Sequence, residues 1–136
     1  MFETVTHLAA LLTSSLLFGG MLLFSASFAA FLFKSLPPAE ASALIRKAFP
    51  SFYIFVMITA LVAALLTLSS SLFSASILAL ITLSTIPTRQ ILMPAINAAS
   101  DAKLKQRFLV LHSLSVVITL VHIIAVAFVI IDLAIP

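Results

Sequence analysis

The chain has 136 residues, 63% of them hydrophobic, with seven basic and four acidic side chains and a net charge of +3. A soluble domain gives roughly a quarter of its residues to charge, so a mean hydropathy of +1.33 excludes a water-covered globule and makes lipid the surrounding solvent. The absence of cysteine excludes disulfide frameworks, thiolate metal sites and cysteine nucleophiles. The basic residues flank apolar runs, so membrane topology rather than nucleic-acid binding accounts for the high isoelectric point.

The first apolar run, free of charge from Val5 to Phe33, follows Glu3 instead of a basic segment. It is far longer than the roughly 7–15 residues of a signal-peptide core, and it predicts a retained transmembrane helix over about residues 5–34. Lys34, Ser35 and Pro37–Pro38 end it. Ser15, Gly19, Gly20 and Ala26 give this helix small side chains that let another helix come close, within the bundle or from a neighbouring subunit.

Pro37–Pro38 opens a short segment, residues 38–49, with Glu40 near its start and Arg46 and Lys47 near its end, the charge order a helix dipole favours. Ala41, Leu44, Ile45 and Ala48 recur at helical spacing, which predicts an amphipathic helix at the membrane interface, ended by Pro50. No charge then occurs until Arg89, too long an interval for one span. Ser69–Ser70–Ser71 divides it into two helices, about residues 51–68 and 73–96. The second of these is expected to kink at Pro87 and to end near Pro94. After a loop from Asn97 to Leu104, a fourth helix covers about residues 105–131. The fold class is therefore all-α: one domain over residues 1–136, an integral membrane four-helix antiparallel bundle with a short amphipathic interfacial helix.

Lys34, Arg46, Lys47, Lys103, Lys105 and Arg107 fall on the side of the first and third connections; Glu3, Asp132 and the serine turn fall on the other. The positive-inside rule then puts both termini outside and loops 35–50 and 97–106 in the cytoplasm of a cell with, in the bacterial case, the inner membrane as host. The chain has no Trp to form an interfacial belt, and its twelve Phe residues lack the polar handle that Trp and Tyr bring.

Gly19–Gly20, Leu36–Pro37, Phe49–Pro50 with Tyr53, then Pro94, Asn97 and Asp101, and finally Phe108, Leu111–His112 and Ser115–Val116, occur in an order that resembles the transmembrane-protein-205-like family, domain of unknown function 4149. Thr119 stands where that resemblance would lead one to expect Asn. The resemblance implies a four-helix membrane protein and no particular activity. A weaker one, through Arg89, Pro94 and Asn97, is to the anthrone-oxygenase-like membrane family.

Polar groups inside a span are costly and mark candidate sites. Arg89 and His112 are expected at one depth below the basic interface, where Gln90, Asn97, Ser115 and Tyr53 would complete a polar pocket for an anion, a lipid headgroup or another small ligand. The alternative is that Arg89 reaches lipid phosphate or a backbone carbonyl and His112 ties helices together. His122, near the middle of the last span, is a candidate haem ligand. His112 lies about 15 Å away along the same helix, so the two cannot share one haem. Without a partner at its level, His122 is equally a neutral core histidine bonded to a hydroxyl.

The four carboxylates lie outside the span cores, there is no HExxH, and no metal site or cofactor is predicted. This favours binding or transport over catalysis. A structural or assembly subunit of a larger membrane complex or homo-oligomer, and a haem- or quinone-linked oxidoreductase, are the two other classes.

Overall fold

The computed structural model describes residues 1–135. They form four helices, each long and apolar enough to cross a membrane: α1 (Phe2–Ser35), α2 (Pro38–Thr67), α3 (Leu72–Asp101) and α4 (Lys105–Ala134). Short connections make neighbours antiparallel. At about 1.5 Å per residue each rod exceeds the roughly 30 Å hydrocarbon layer, so its ends tilt or project.

Small residues set the closest contact. α2 packs closely on α3, and its Ala60, Ala63, Ala64 and Thr67 are buried, as are Ser74, Ala75 and Leu78 of α3. Larger side chains such as Leu61, Leu65, Leu80 and Leu83 point outward. That is the inverse of a soluble bundle, because lipid already solvates them and only close packing gains energy. The core continues through Leu17 and Met21 of α1 and Val126 and Val129 of α4. Ser14, also fully buried, has a hydroxyl with no partner.

Two expectations about proline do not hold. Pro50 does not end a separate interfacial helix; residues 38–49 are the first turns of α2. The cost of an internal proline is about 3 kcal/mol. Packing on both sides of it offsets this. Phe24 of α1 stacks on Phe52 and meets Phe49 edge-on, and Phe49 also touches Phe52 and Tyr53, each ring pair contributing about 0.5–1.5 kcal/mol.

The third helix likewise does not stop near Pro94 but runs to Asp101. Between Pro87 and Pro94 lies a wide π-helical turn, Thr88–Leu92, in which the Met93 N–H reaches back five residues to the Thr88 carbonyl. In a regular α-helix the Gln90 carbonyl would press against the Pro94 ring; the wider turn relieves that clash. A second π-helical turn, Leu23–Phe28, interrupts α1, with the Ala29 N–H bonded to the Phe24 carbonyl.

The polar breaks hold as expected. At the acidic end Ser71 caps α3 by accepting from the Ser74 N–H, and both hydroxyls donate to the Asp132 carboxylate of α4, at 2.7 and 2.6 Å. At the basic end α3 closes with Lys103 in the left-handed region (φ 54°), while the N–H groups of Lys103 and Leu104 bond back to Ser100 and Ala99, a Schellman closure.

Candidate functional site

The two halves of α1 have different partners. Its first stretch, Phe2–Leu22, packs on both α2 and α4. From the π-helical turn onward, the Phe24 stack holds the second half on α2, and the close contact with α4 lapses. Between Leu22 and Phe33, which line the two ends of its wall, α1 presents only Ser25, Ala26 and Ala29, too small to refill the gap. The result is a cleft of about 490 Å³ between the basic-end halves of α1 and α4, floored by α2 and α3. Ligand pockets range over about 300–1,000 Å³.

The cleft is apolar along its length, with polar groups at two levels. At the basic end stand Ser42 and Arg46 of α2 and Asn97 and Ser100 of α3; midway are Tyr53, His112, Ser115 and Thr119; Leu120 and Ile123 close the far end. The Arg46 guanidinium contacts the Asp101 carboxylate at 2.8 Å and donates to the Asn97 carbonyl at 3.5 Å. His112 stacks on Phe108, 5.4 Å between ring centroids.

Of the residues expected to form a polar pocket, Tyr53, Asn97, His112 and Ser115 do line one cleft. Arg89 and Gln90 do not. Arg89 is half-buried and its Nε donates to the Pro50 carbonyl of α2 at 3.3 Å, the backbone-carbonyl alternative. Gln90 is exposed. Arg89 is instead held on α2 by its bond to the Pro50 carbonyl. The cation that belongs to the cleft is Arg46.

The small residues of α1 also divide. Ser15 and Gly19 face outward, and nothing lies within 4 Å of where a Gly19 side chain would begin. Gly20 alone admits a close neighbour, the Phe55 ring, which a Cβ would meet at 2.6 Å. Ala26 lines the cleft, where its small size makes room for a ligand and not for a helix.

His122 Nε2 lies 2.8 Å from Ser84 Oγ on the adjoining α3. The space beside it, bounded by Met21, Tyr53, Thr85, Thr88 and Thr119, is about 10 Å³, room for at most one water molecule. A haem at His122 would need that nitrogen released and a far larger opening, so these residues do not fit the group. Among the described residues no three His, Asp or Glu side chains converge on a point where a metal could sit.

Fold and cleft together define a class: an all-helical membrane protein with a ligand-sized lateral cleft at its basic end. Within that class the chain belongs to the DUF4149 family, whose model, described as a domain of unknown function, matches residues 12–105. That stretch includes α2, α3 and the cleft wall of α1. No curated protein and no solved structure matches the chain.

Proposed function

We propose that the protein crosses the membrane four times and binds or carries a small amphipathic molecule taken from the lipid phase into the cleft. The observation that carries this reading is the 490 Å³ opening itself, apolar along its walls, with Arg46, Asn97, Tyr53, His112 and Ser115 at fixed positions. A cleft of this form suits a ligand with an apolar body and a polar end. The basic end faces the cytoplasm by the positive-inside rule, which puts the mouth in the inner leaflet and both termini outside, in the inner membrane of a bacterial cell.

Equilibrium binding of tritiated hexadecanol to the protein in phosphatidylcholine nanodiscs tests the reading. Saturable binding, lost when Ala26→Phe fills the cleft, is the expected result. Uptake that only follows partition into the lipid, unchanged in Ala26→Phe, would reject it.

A second reading, a subunit of a homo-oligomer or larger membrane complex, draws on the outward-facing Ser15 and Gly19. Gly19→Leu would break such an interface without touching the cleft. Sedimentation of the wild-type and variant proteins in matched detergent separates the cases, identical assemblies counting against the second reading.

A further inference from the structure

The cleft carries unlike chemistry at its two ends. On α4 it runs from Phe108 to Ile123, a length of about 22 Å, against about 15 Å for one leaflet of hydrocarbon. Its volume of about 490 Å³ suffices for one extended tail. Its only positive side chain is Arg46, at the basic end, and exposed Lys47, Lys103, Lys105 and Arg107 surround that end. An anion arriving there meets a favourable field.

Arg46 is already matched to one particular anion. Its Nη1 holds a carboxylate oxygen of Asp101 at 2.8 Å, yet the pair is accessible: the Arg46 side chain is 35% exposed and that of Asp101 67%. Ion pairs this open contribute little to stability and exchange partners readily. We infer that the occupant of the cleft is a single-chain amphiphile with a carboxylate head, which replaces Asp101 at the Arg46 guanidinium while its tail extends along α4 toward Ile123. The inference rests on the cleft-binding reading above and adds the ligand class and the exchange of ion-pair partners. Asp101 acts as the resident stand-in: it satisfies Arg46 in the empty cleft and is released to water when the ligand binds.

Palmitate and hexadecanol, which share a tail and differ in the head, test it in phosphatidylcholine nanodiscs. Wild-type protein binds palmitate more tightly than hexadecanol. Arg46→Gln weakens palmitate by roughly tenfold or more, the loss that accompanies a missing charge-assisted hydrogen bond, and weakens hexadecanol, whose hydroxyl carries no charge, by a clearly smaller factor. Asp101→Asn removes the competitor and tightens palmitate severalfold. Equal palmitate affinity in wild type and Arg46→Gln overturns the inference, as does weaker palmitate binding in Asp101→Asn.

Should palmitate and hexadecanol bind alike, and both be lost in Ala26→Phe, the carboxylate assignment fails and the cleft-binding reading survives. Should Ala26→Phe change neither, the cleft-binding reading itself fails. A probe that needs no variant is palmitate bearing a diazirine near its terminal carbon. Photolysis labels the far end of the cleft, at Leu120 and Ile123; labelling of the outward face of α3 at Leu80 and Leu83 instead overturns the inference.

Discussion

The rings of Phe24 and Phe52 lie nearly parallel, 8° between planes and 4.4 Å between centroids, and this stack ties the basic-end half of α1 to α2 beside Pro50. It does two things at once. It supports α2 where the helix continues through a proline, and it holds α1 on α2 so that the cleft beside α4 stays open. Phe24→Ala is expected to lower stability by about 2–3 kcal/mol, since lipid supplies an apolar surrounding and only packing and ring–ring contacts are lost. Denaturant titration in mixed micelles measures the loss. The same variant disturbs the cleft, whereas Pro50→Ala leaves both fold and cleft intact.

The acidic end is closed by a different device. Ser71 and Ser74 both donate to Asp132, joining α3 to α4. Ser74 is fully buried, so Ser74→Ala costs about 1 kcal/mol. Asp132→Ala lowers the melting temperature too, and the double variant melts close to the worse single one, because the two residues serve one contact. Additive losses in thermal melts would contradict a shared latch.

Much of this fold is legible in the sequence because charge and serine punctuate it. Lys34 with the proline pair, the Ser69–Ser71 cluster and the Lys103–Lys105 region each mark a helix end that the structure also has. The prolines mislead, because their local penalty is offset by tertiary partners that no window of sequence contains.

That misreading moved the site. With residues 38–49 treated as a separate interfacial helix, Arg46 counts only toward topology. Once α2 is continuous, Ser42, Arg46, Phe49 and Tyr53 follow at steps of four, three and four and share one face. That spacing was the available signal. For Arg89 the error is opposite: positions 89, 93 and 97 look like one face at α-helical spacing, but the Arg89 side chain bonds the Pro50 carbonyl of α2 and does not line the cleft.

Adjacent glycines have opposite expected responses. Gly20→Ala drives a Cβ to 2.6 Å from the Phe55 ring and destabilises by about 1–3 kcal/mol unless the ring swings aside. Gly19→Ala meets open space and is neutral or stabilises the helix by up to about 1 kcal/mol. Thermal melts of the two variants side by side give the comparison, and equal effects would mean that α1 is rotated from the orientation described.

Lys103 holds a left-handed backbone conformation without being glycine. Lys103→Gly relieves a strain of about 1 kcal/mol at the α3–α4 turn and raises the melting temperature. A drop in melting temperature would show that the Lys103 side chain makes a contact worth more than the strain.

The chain contains one Tyr and no Trp, so its intrinsic fluorescence reports on Tyr53, a wall of the cleft that is itself only 5% exposed. Bromine quenches on near-contact, which makes a bromine-bearing stearate titrated into phosphatidylcholine vesicles that hold the protein, with no other protein present, the most direct test of whether lipid-phase molecules enter. Quenching of Tyr53 that saturates, and that Ala26→Phe abolishes, is the predicted result. Quenching that rises in proportion to the stearate dissolved in the bilayer, identical in Ala26→Phe, would contradict the cleft as a binding site.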